Sequence, residues 1–311
     1  MDLDEDQICA EFDRRVYEGI VVFNKEYRTI PYSDNGFQIE FRLLSGLARK
    51  PGVSTPSPPT PTSTSTSGSA SNTEQPPGLL PGSDINVHNY EITTLGKTHL
   101  LAFNKFSAAR PHLLFLTQDG YRRQHEALDI DDFTALWTVM TRFTKSRYLA
   151  IFNCGVDSGC SRLHKHMQVF GAPEGFGLWP DEEGGKGKGK GKGVPFRYFL
   201  GRFDGGFPGP EGLLGVYQGL LGQAEAVLGW ERGERGEEEA APHNVVLDRR
   251  WMLVVPRRAP GLNGADANAA AVLGMLWVSD EEKMRRWTDQ GPARVLAHLG
   301  VPAEQGEGSE E

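Results

Sequence analysis

The sequence predicts an α+β fold, in which short strands and amphipathic helices are mixed along the chain without a regular βαβ repeat. In the segment Phe37–Leu43, apolar residues alternate with polar ones, which indicates a half-buried strand. Near the N-terminus, Ile8, Phe12, Val16 and Ile20 recur every four residues, which predicts an amphipathic helix. A doubly wound parallel sheet would instead show strands and helices in strict alternation.

Further strands and helices follow in an irregular order. Strands are predicted at or near Tyr90–Leu95, Thr98–Phe103, His112–Thr117, Tyr148–Phe152 and His164–Phe170, and a hairpin by His243–Leu247 and Trp251–Val255. A helix capped by Asp131 or Asp132 has an apolar face of Phe133, Leu136, Trp137, Met140 and Phe143. Two more helices are predicted around Leu213–Leu228 and from Asp280 to Leu299.

Low-complexity stretches interrupt these elements. Residues 51–83 are almost all Pro, Ser, Thr and Gly, and cannot bury enough apolar surface to offset their ordering entropy. Residues 184–193 alternate Gly and Lys, but no Gly-Lys-Ser or Gly-Lys-Thr motif opens a helix there, which argues against a P-loop. We therefore expect one domain over residues 1–311, with disordered insertions at about 51–83 and 184–193 and a flexible tail at 302–311.

The overall charge and the cysteine content narrow the class of protein. A net charge of -8 and a pI near 5.6 argue against nucleic acid as a partner, because binding a phosphate backbone needs a basic face. Three cysteines provide no disulfide framework, and Ala269–Val278, the longest apolar stretch, is too short to span a membrane. We expect a cytoplasmic protein, also present in the nucleus, with no membrane partner.

The predicted strand at residues 164–170 carries the polar side chains with the clearest chemical meaning. Residues two apart on a strand share a face, so His164, His166 and Gln168 line one side of it. Met167 and Val169 lie on the opposite face of the strand and point into the core. Burying three hydrogen-bonding side chains in a row is costly unless a site uses them.

Three interpretations of this strand are open from the residues alone. A His-x-His pair with a cysteine from the preceding loop fits a zinc site, and a polar strand face can also be simply solvated. However, the loop residues Ser158, Gly159, Cys160 and Ser161 offer closely spaced backbone N–H groups to an anion. A phosphate held there would make His166 a nitrogen nucleophile, whose phosphoramidate adduct is labile enough to pass the group onward.

Several blocks of the sequence resemble one known family. Asn153–Phe170 resembles the active-site block of the histidine triad superfamily, in the branch with Gln in the third triad position. That branch includes the fungal diadenosine tetraphosphate phosphorylases, also called ATP adenylyltransferases. Similar blocks follow the family's order at Phe37–Arg42 with Leu47–Pro51, Leu101–Phe106 with Arg110–Leu114, His243–Val245 with Trp251–Arg257, and Asn268–Val278.

The resemblance implies a fold, a reaction and a set of site residues. It implies a histidine-triad-like, mixed and mainly antiparallel sheet with flanking helices. It also implies that His166 attacks the α-phosphorus of diadenosine tetraphosphate, that ATP leaves, and that phosphate takes the adenylyl group to give ADP. His164 and Gln168 are the other catalytic positions. Together with the loop, the matching positions predict nucleotide or phosphate contacts at Lys50, Asn104, Lys105, Asn153, Ser158, Gly159, Cys160, Ser161, Arg162, Gln168, Asn268, Ala269, Ala270 and Met275.

The same resemblance implies the ligands. The expected partners are diadenosine tetraphosphate, ATP, ADP, and inorganic phosphate or sulfate, the latter through an ADP sulfurylase side activity. We expect no covalently bound cofactor and no metal site in the protein, a requirement for Mg²⁺ together with the nucleotide, and a monomer.

Some positions depart from the family pattern. Ser279 stands where the family usually has a lysine, so one phosphate contact has to come from elsewhere, for example from Lys283. Cys160 stands where Ala or Ser is usual, and His112 is interpreted as a core histidine.

Two other functions stay open. A hexose-1-phosphate uridylyltransferase would use the same nucleophile and Gln, and a non-catalytic dinucleotide sensor would bind the dinucleotide without turnover. Metal analysis, a nucleotide screen and product analysis separate these functions.

Overall fold

The chain folds around one large antiparallel sheet. The computed structural model describes residues 3–49, 79–182, 193–231 and 239–303. The strands are β1 (Arg28–Asp34), β2 (Phe37–Leu43), β3 (Glu91–Leu95), β4 (His99–Phe103), β5 (His112–Thr117), β6 (Tyr148–Cys154), β7 (His166–Gly171), β8 (Phe199–Arg202), β9 (His243–Leu247), β10 (Trp251–Pro256), β11 (Gly261–Leu262), β12 (Ala265–Asp266) and β13 (Met275–Val278). The helices are α1 (Glu5–Tyr17), α2 (Ile130–Met140), α3 (Trp179–Glu182), α4 (Pro210–Leu228), α5 (Glu281–Gln290) and α6 (Pro292–Leu299).

The strand order confirms the predicted α+β class with a mainly antiparallel sheet. Eight strands form the large sheet in the order β3-β4-β5-β7-β6-β9-β10-β8, and every neighbouring pair is antiparallel. A second sheet has the order β1-β2-β13, in which β1 and β2 are antiparallel and β2 and β13 are parallel. The strands β11 and β12 form a small hairpin.

Hydrophobic cores cover both faces of the large sheet. Helices α1, α2 and α4 pack on one face, where Phe12, Phe133 and Tyr217 are completely buried. The core on the other face includes residues of β2, β13, α5 and α6 and of the segment 265–273. Strand β7 lies between β5 and β6, and its Met167 and Val169 belong to the core under α1, α2 and α4. The residues between them on β7 therefore face the opposite side of the sheet.

Helix α2 begins earlier than the sequence predicted. The cap is Asp129 rather than Asp131 or Asp132, because its side chain accepts hydrogen bonds from both of those backbone N–H groups. The Asp132 side chain in turn accepts from the Asp129 backbone N–H, which completes a capping box. Trp137, predicted for the apolar face, is 36% exposed.

The single C-terminal helix predicted from Asp280 to Leu299 is two helices. Asp280 does cap α5, since its side chain accepts from the Lys283 backbone N–H. The break falls at Gly291, whose φ of +79° is not helical, and at Pro292, which has no N–H to continue the ladder. The Gly-Pro pair therefore ends α5 and begins α6 within a stretch whose apolar periodicity alone predicts one helix.

Strand β7 starts at His166 rather than at His164. The carboxylate of Asp84 accepts from the backbone N–H groups of Leu163 and His164, at 2.8 and 2.9 Å, so these groups are bound outside the ladder. The sequence also missed β1, β8, β11, β12 and β13. Strand β1 contains Pro31 and lies at an edge of its sheet, which is where proline is tolerated in strands.

The boundaries of the low-complexity stretches also need correction. Residues 50–78, 184–192 and 304–311 lie outside the described residues, but the predicted insertion extends to Ser83. Leu79 forms an isolated bridge with Asn86, and Ser83 Oγ lies 2.8 Å from His164 Nδ1. Residues 79–83 therefore have defined contacts with the rest of the fold. At the C-terminal end, Pro302 forms a bridge with Phe196.

Within the described ranges, no helix is long and apolar enough to cross a membrane.

Candidate active site

The loop between β6 and β7 depends on glycines with left-handed backbone angles. Gly155 and Gly159 have φ values of +79° and +81°. Ser158 closes the turn between them by donating its Oγ to the Gly155 carbonyl at 2.6 Å. A Cβ added at Gly159 would lie 2.0 Å from the Ala267 carbonyl oxygen. The loop thus approaches residues 267–268 so closely that only glycine fits at position 159.

This close approach gives a first testable expectation. We expect Gly159→Ala to weaken the binding of AMP by about tenfold and to destabilise the fold by about 1–3 kcal/mol, because backbone must move where the loop meets residue 267. The measurements are calorimetric titration with AMP and thermal unfolding. Gly19→Ala is the matched control, since Gly19 also has a positive φ of +72° but has no atom within 4 Å of an added Cβ. Equal losses in both variants would contradict the role of the close approach.

His166 is held in one tautomer at the start of β7. Its Nδ1 lies 2.8 Å from the carbonyl oxygen of His164. Because a carbonyl only accepts, Nδ1 carries the proton in the neutral ring and the lone pair is on Nε2. The side chain is buried, with only 6% exposed, and it borders a cavity on the β7 face opposite Met167. The ring is therefore prepared to act as a nucleophile through Nε2.

The side chain of His164 does not share that position. It is completely buried, with Ser83 Oγ 2.8 Å from Nδ1 and Thr117 Oγ1 2.9 Å from Nε2. Burial lowers the pKa of His164, so the ring stays neutral at neutral pH. In this structure His164 serves His166 through its backbone carbonyl, rather than through the imidazole that the sequence placed on the same face.

Two residues that the sequence did not single out hold this strand and loop together. Gln124 is buried, and its Oε1 accepts from the His166 backbone N–H at 2.7 Å. Its Nε2 lies 3.0 Å from the carbonyl oxygens of both Asn153 and His166, so it fastens β7 to β6. Asp84 fixes the end of the loop through Leu163 and His164, as described above. Nothing in the local sequence around either residue marks these distant contacts.

Gln168 is oriented by a buried histidine. The backbone N–H of Ala108 donates to His112 Nδ1 at 3.1 Å, so the proton of the neutral ring is on Nε2. That nitrogen lies 3.0 Å from Gln168 Oε1, and Asn104 Nδ2 donates to the same oxygen at 3.2 Å. With Oε1 accepting from both, the Gln168 amide presents its NH₂ group as the remaining donor. His112 is buried, as the sequence predicted, but it also sets this orientation.

Three adjoining cavities share Ser161, and His166 borders two of them. The central cavity, of 310 Å³, is bordered by Asn104, Asn153, His166, Gln168, Asn268 and Lys283. The Tyr90 cavity, of 450 Å³, shares His166, Gln168 and Asn104 with it and is bordered further by Ile85, Val87 and Tyr90. The Trp287 cavity, of 430 Å³, shares Gly159, Ser161 and Asn268 with the central cavity and is bordered further by Pro260, Met275 and Trp287. Polar groups thus border the middle, with apolar surface at both ends.

Cations border the Tyr90 and central cavities. Lys105 Nζ lies 5.6 Å from the ring centroid of Tyr90 and 5.7 Å from that of Phe106, so two aromatic rings hold it. Arg162 borders the Tyr90 cavity, and Lys283 borders the central cavity. Lys283 thus borders the same cavity as His166, and its role as a substitute for the lysine that Ser279 replaces stays a prediction. Lys50 lies outside the described residues.

The predicted loop contacts divide into two groups. Ser161 borders all three cavities, and Cys160 borders the Trp287 cavity. Burial raises the pKa of the Cys160 thiol to about 11, so it is neutral at the site. Ser158 is completely buried behind the loop and borders none of these cavities, because its hydroxyl is used within its own turn. A direct contact from its side chain to phosphate therefore needs correction.

The predicted C-terminal contacts also divide into residues that border a cavity and residues that do not. Asn268 borders the central and Trp287 cavities, and Met275 borders the Trp287 cavity while belonging to the core. The side chains of Ala269 and Ala270 are completely buried and border none of the three cavities. Ala269 instead contributes its backbone N–H, which donates to Asn153 Oδ1 at 2.8 Å.

In the described portion of the chain, no group of three or more His, Cys, Asp or Glu side chains could hold a metal ion. The His-x-His pair does not converge on one point, since the two rings have the separate partners given above.

Comparisons with known proteins place this geometry in context. A family model described as the Ap4A phosphorylase N-terminal domain matches residues 23–176, where Ap4A is diadenosine 5',5'''-P1,P4-tetraphosphate. A second model, described as the ATP adenylyltransferase C-terminal domain, matches residues 192–302. Together the two models span the chain from β1 to α6.

Two curated proteins of Saccharomyces cerevisiae are similar to this chain. Diadenosine 5',5'''-P1,P4-tetraphosphate phosphorylase 2 is 28% identical over 240 residues, which cover 67% of this chain and 71% of the relative. Protein APA1 is 24% identical over 236 residues, with coverages of 68% and 71%.

Solved structures of the yeast Ap4A phosphorylase Apa2 share the fold. One superimposes with a TM-score of 0.72 at 21% identity, covering 97% of this chain and 98% of that one. A second, in complex with Ap4A, gives 0.71 at 20% identity and covers 96% and 97%. A third, in complex with AMP, gives 0.70 at 20% identity and covers 100% and 99%.

Proposed function

The chain belongs to the Ap4A phosphorylase family, and we propose that it splits Ap4A with inorganic phosphate into ADP and ATP. The observation that carries this proposal is the His166 ring, with its lone pair on Nε2, at the junction of the Tyr90 and central cavities. The curated relative named as an Ap4A phosphorylase supports the same reaction.

The cavities support a dinucleotide as the substrate. Two nucleosides joined by a chain of phosphates have apolar, aromatic ends and a highly charged middle. The Tyr90 and Trp287 cavities provide apolar surface at the two ends, and the central cavity between them provides His166, Gln168 and Lys283. We place one nucleoside in each end cavity and the phosphates across the central cavity, with phosphates also reaching Lys105 and Arg162.

In the first step, the lone pair on His166 Nε2 attacks the α-phosphorus of one adenosine. The bond between that phosphorus and the bridging oxygen breaks, and ATP leaves with the electron pair. The imidazole becomes positively charged as the nitrogen–phosphorus bond forms, and its Nδ1–H continues to donate to the carbonyl of His164. That carbonyl stabilises the charge, and it also keeps the ring from turning away from the phosphorus.

In the second step, an oxygen of inorganic phosphate attacks the phosphorus of the adenylyl-histidine. The nitrogen–phosphorus bond breaks, ADP forms, and the electron pair returns to Nε2. The phosphate brings its own nucleophilic oxygen, so no side chain has to remove a proton from water. The NH₂ group of Gln168, fixed by His112 and Asn104, is suited to hold an oxygen of the phosphorus centre in both steps.

Further proposals concern the metal ion, a second acceptor, the oligomeric state and the location of the protein. We propose that Mg²⁺ enters with the polyphosphate, whose oxygens are its preferred ligands. Sulfate has the charge and shape of phosphate, so we propose that it serves as a second acceptor, in an ADP sulfurylase reaction. We also propose that the protein acts as a monomer, in the cytoplasm and the nucleus.

Product analysis tests the proposed function. Ap4A incubated with the purified chain and Mg²⁺ should give ADP and ATP in equal amounts when phosphate is present. Without phosphate it should give no ADP and only the single ATP per enzyme molecule that leaves when the adenylyl-histidine forms. EDTA should stop the reaction, and ADP with sulfate should give adenosine 5'-phosphosulfate. Ap4A binding without products would indicate a sensor. Turnover of UDP-glucose with a hexose 1-phosphate, but not of Ap4A, would indicate a uridylyltransferase and overturn the proposal.

A further inference from the structure

A buried arginine lies behind the phosphate loop and contacts no ligand cavity. Arg257, at the first position after β10, is 2% exposed. Its Nη1 donates to Asn244 Oδ1 and to the Ser158 carbonyl, the latter at 3.4 Å. Its Nη2 donates to the carbonyls of Ala259 and Ala267 at 2.9 and 3.1 Å, and its Nε donates to the Leu299 carbonyl at 3.2 Å.

The charge of Arg257 is unusual because all these acceptors are neutral. Among the described residues, no carboxylate forms an ion pair with this guanidinium. Burial lowers the pKa of Arg257 to about 10, and it remains cationic at neutral pH. Asp157 acts on this charge only at a distance, and a buried cation without a carboxylate in contact is costly for a fold. Two of the carbonyls that hold it, those of Ser158 and Ala267, belong to segments that touch each other at Gly159 beside the central cavity.

Arg257 also fixes the orientation of a neighbouring amide. A guanidinium only donates, so the atom of Asn244 that faces it has to be Oδ1. The Nδ2 of Asn244 is thereby turned the other way, where it donates to Asn153 Oδ1 and to the Ser158 carbonyl, both at 2.9 Å. Asn244 is completely buried on β9, directly opposite Asn153 on β6.

Asn153 is oriented in turn by two donors. Its Oδ1 accepts from Asn244 Nδ2 at 2.9 Å and from the Ala269 backbone N–H at 2.8 Å. Neither donor allows the amide to be reversed, because a reversed amide would set its NH₂ against another N–H group. No described residue accepts a hydrogen bond from Asn153 Nδ2, and Asn153 borders the central cavity together with His166 and Gln168.

We propose that Arg257 and Asn244 are positioning residues, which turn the Asn153 NH₂ group toward the reacting phosphorus and place a positive charge behind it. The proposal rests on the proposed function. Asn153 then donates from the β6 side, as Gln168 does from β7, to oxygens that gain negative charge in the transition state. The buried cation is retained because it strengthens these donors at a site that binds phosphates.

Substitutions in the relay formed by Arg257, Asn244 and Asn153 test the proposal. We expect Arg257→Gln to lower kcat/KM for Ap4A by about tenfold to a hundredfold, as removal of an oriented donor does in other enzymes. Asn244→Asp keeps the shape and gives Arg257 a carboxylate partner, but it can only accept and cannot orient Asn153. We expect it to lose as much activity as Arg257→Gln. Arg257→Lys keeps the charge with fewer donors, and its activity should lie between that of wild type and that of Arg257→Gln.

Coupling to Asn153 separates positioning from a purely structural role. In an Asn153→Ala background, adding Asn244→Asp should lower kcat/KM by no more than about twofold, because the group it orients is already gone. AMP titrated into each folded variant should bind at least about tenfold more weakly to Arg257→Gln and Asn244→Asp than to wild type. Arg258→Gln is the matched control, since Arg258 is adjacent but exposed, and it should match wild type.

The outcomes distinguish this inference from the proposed function. If wild type forms no ADP and ATP from Ap4A, the proposed function fails, while the AMP titrations still test the relay. If the variants have a lowered Tm but bind AMP like wild type per folded molecule, the residues are only structural and the inference is overturned. Additive losses in the Asn153→Ala background would also overturn it. Should Arg257→Gln fail to fold, Asn244→Asp and Arg257→Lys carry the test.

Discussion

Replacing His166 with alanine is expected to lower the rate of phosphorolysis by at least about a thousandfold, because the reaction loses its nucleophile. In the structure, Nε2 is the ring atom that carries the lone pair, because Nδ1–H donates to the His164 carbonyl. No alternative nucleophile is evident among the neighbours, since Cys160 is a neutral thiol and the His164 ring is occupied by Ser83 and Thr117.

The assay is the formation of ADP and ATP from Ap4A under saturating phosphate, with thermal unfolding as a check on the fold. His298→Ala is the matched control, because His298 lies on the exposed side of α6, and it should keep the wild-type rate. Loss of the His166 ring leaves the backbone contacts of that residue to Gln124 in place, so Tm should change little. Activity of His166→Ala within about tenfold of wild type would be far too high for a missing nucleophile.

Gln168→His is expected to change the acceptor rather than to stop the reaction. We expect the ratio of AMP to ADP produced from Ap4A at a fixed phosphate concentration to rise by at least about tenfold, even if the total rate falls. The Gln168 amide donates and accepts hydrogen bonds, but it cannot exchange a proton near neutral pH, whereas an imidazole can. A histidine beside the adenylyl group would therefore allow water to act as the nucleophile.

The contacts of Gln168 support the expectation that the adenylyl intermediate waits for phosphate. Gln168 Oε1 is occupied by His112 and Asn104, which leaves only a donor group toward the phosphorus centre. Gln223→His, on the exposed side of α4, is the control and should keep the wild-type ratio. A ratio in Gln168→His that stays equal or falls would mean that Gln168 only positions phosphate. The choice of acceptor would then have to come from the loop at 158–162 and the nearby lysines.

Much of the fold could be predicted because local patterns determine it. Strand β5 matches its predicted bounds, and the hairpin of β9 and β10 follows from two apolar runs with a polar turn between them. The prediction failed where tertiary contacts decide the outcome. Strand β13 is short and depends on parallel pairing with β2, more than two hundred residues earlier in the chain. No local pattern encodes such a pairing.

The reactive groups of the site could be predicted from the sequence, but the residues that orient them could not. His166 and Gln168 were identified from strand periodicity, and Lys283 was considered as a substitute for a missing lysine. The residues that orient them act over long separations: Asp84 binds the backbone of His164 across 80 positions, and Gln124 binds that of His166 across 42. Residue types that are close in the sequence can be recognised from it, but the orientation of an amide by a distant donor can be recognised only from the structure.

Trapping the covalent intermediate tests whether the adenylyl group passes through His166. Wild type and His166→Ala are incubated with Ap4A without phosphate, quenched in base to preserve a phosphoramidate, and analysed by intact-protein and peptide mass spectrometry. The account predicts an adenylyl group on His166 in wild type, none in His166→Ala, and its release as ADP when phosphate is added. An adenylyl group on another residue would contradict the account. So would the absence of any adduct in wild-type protein that forms ADP and ATP once phosphate is supplied.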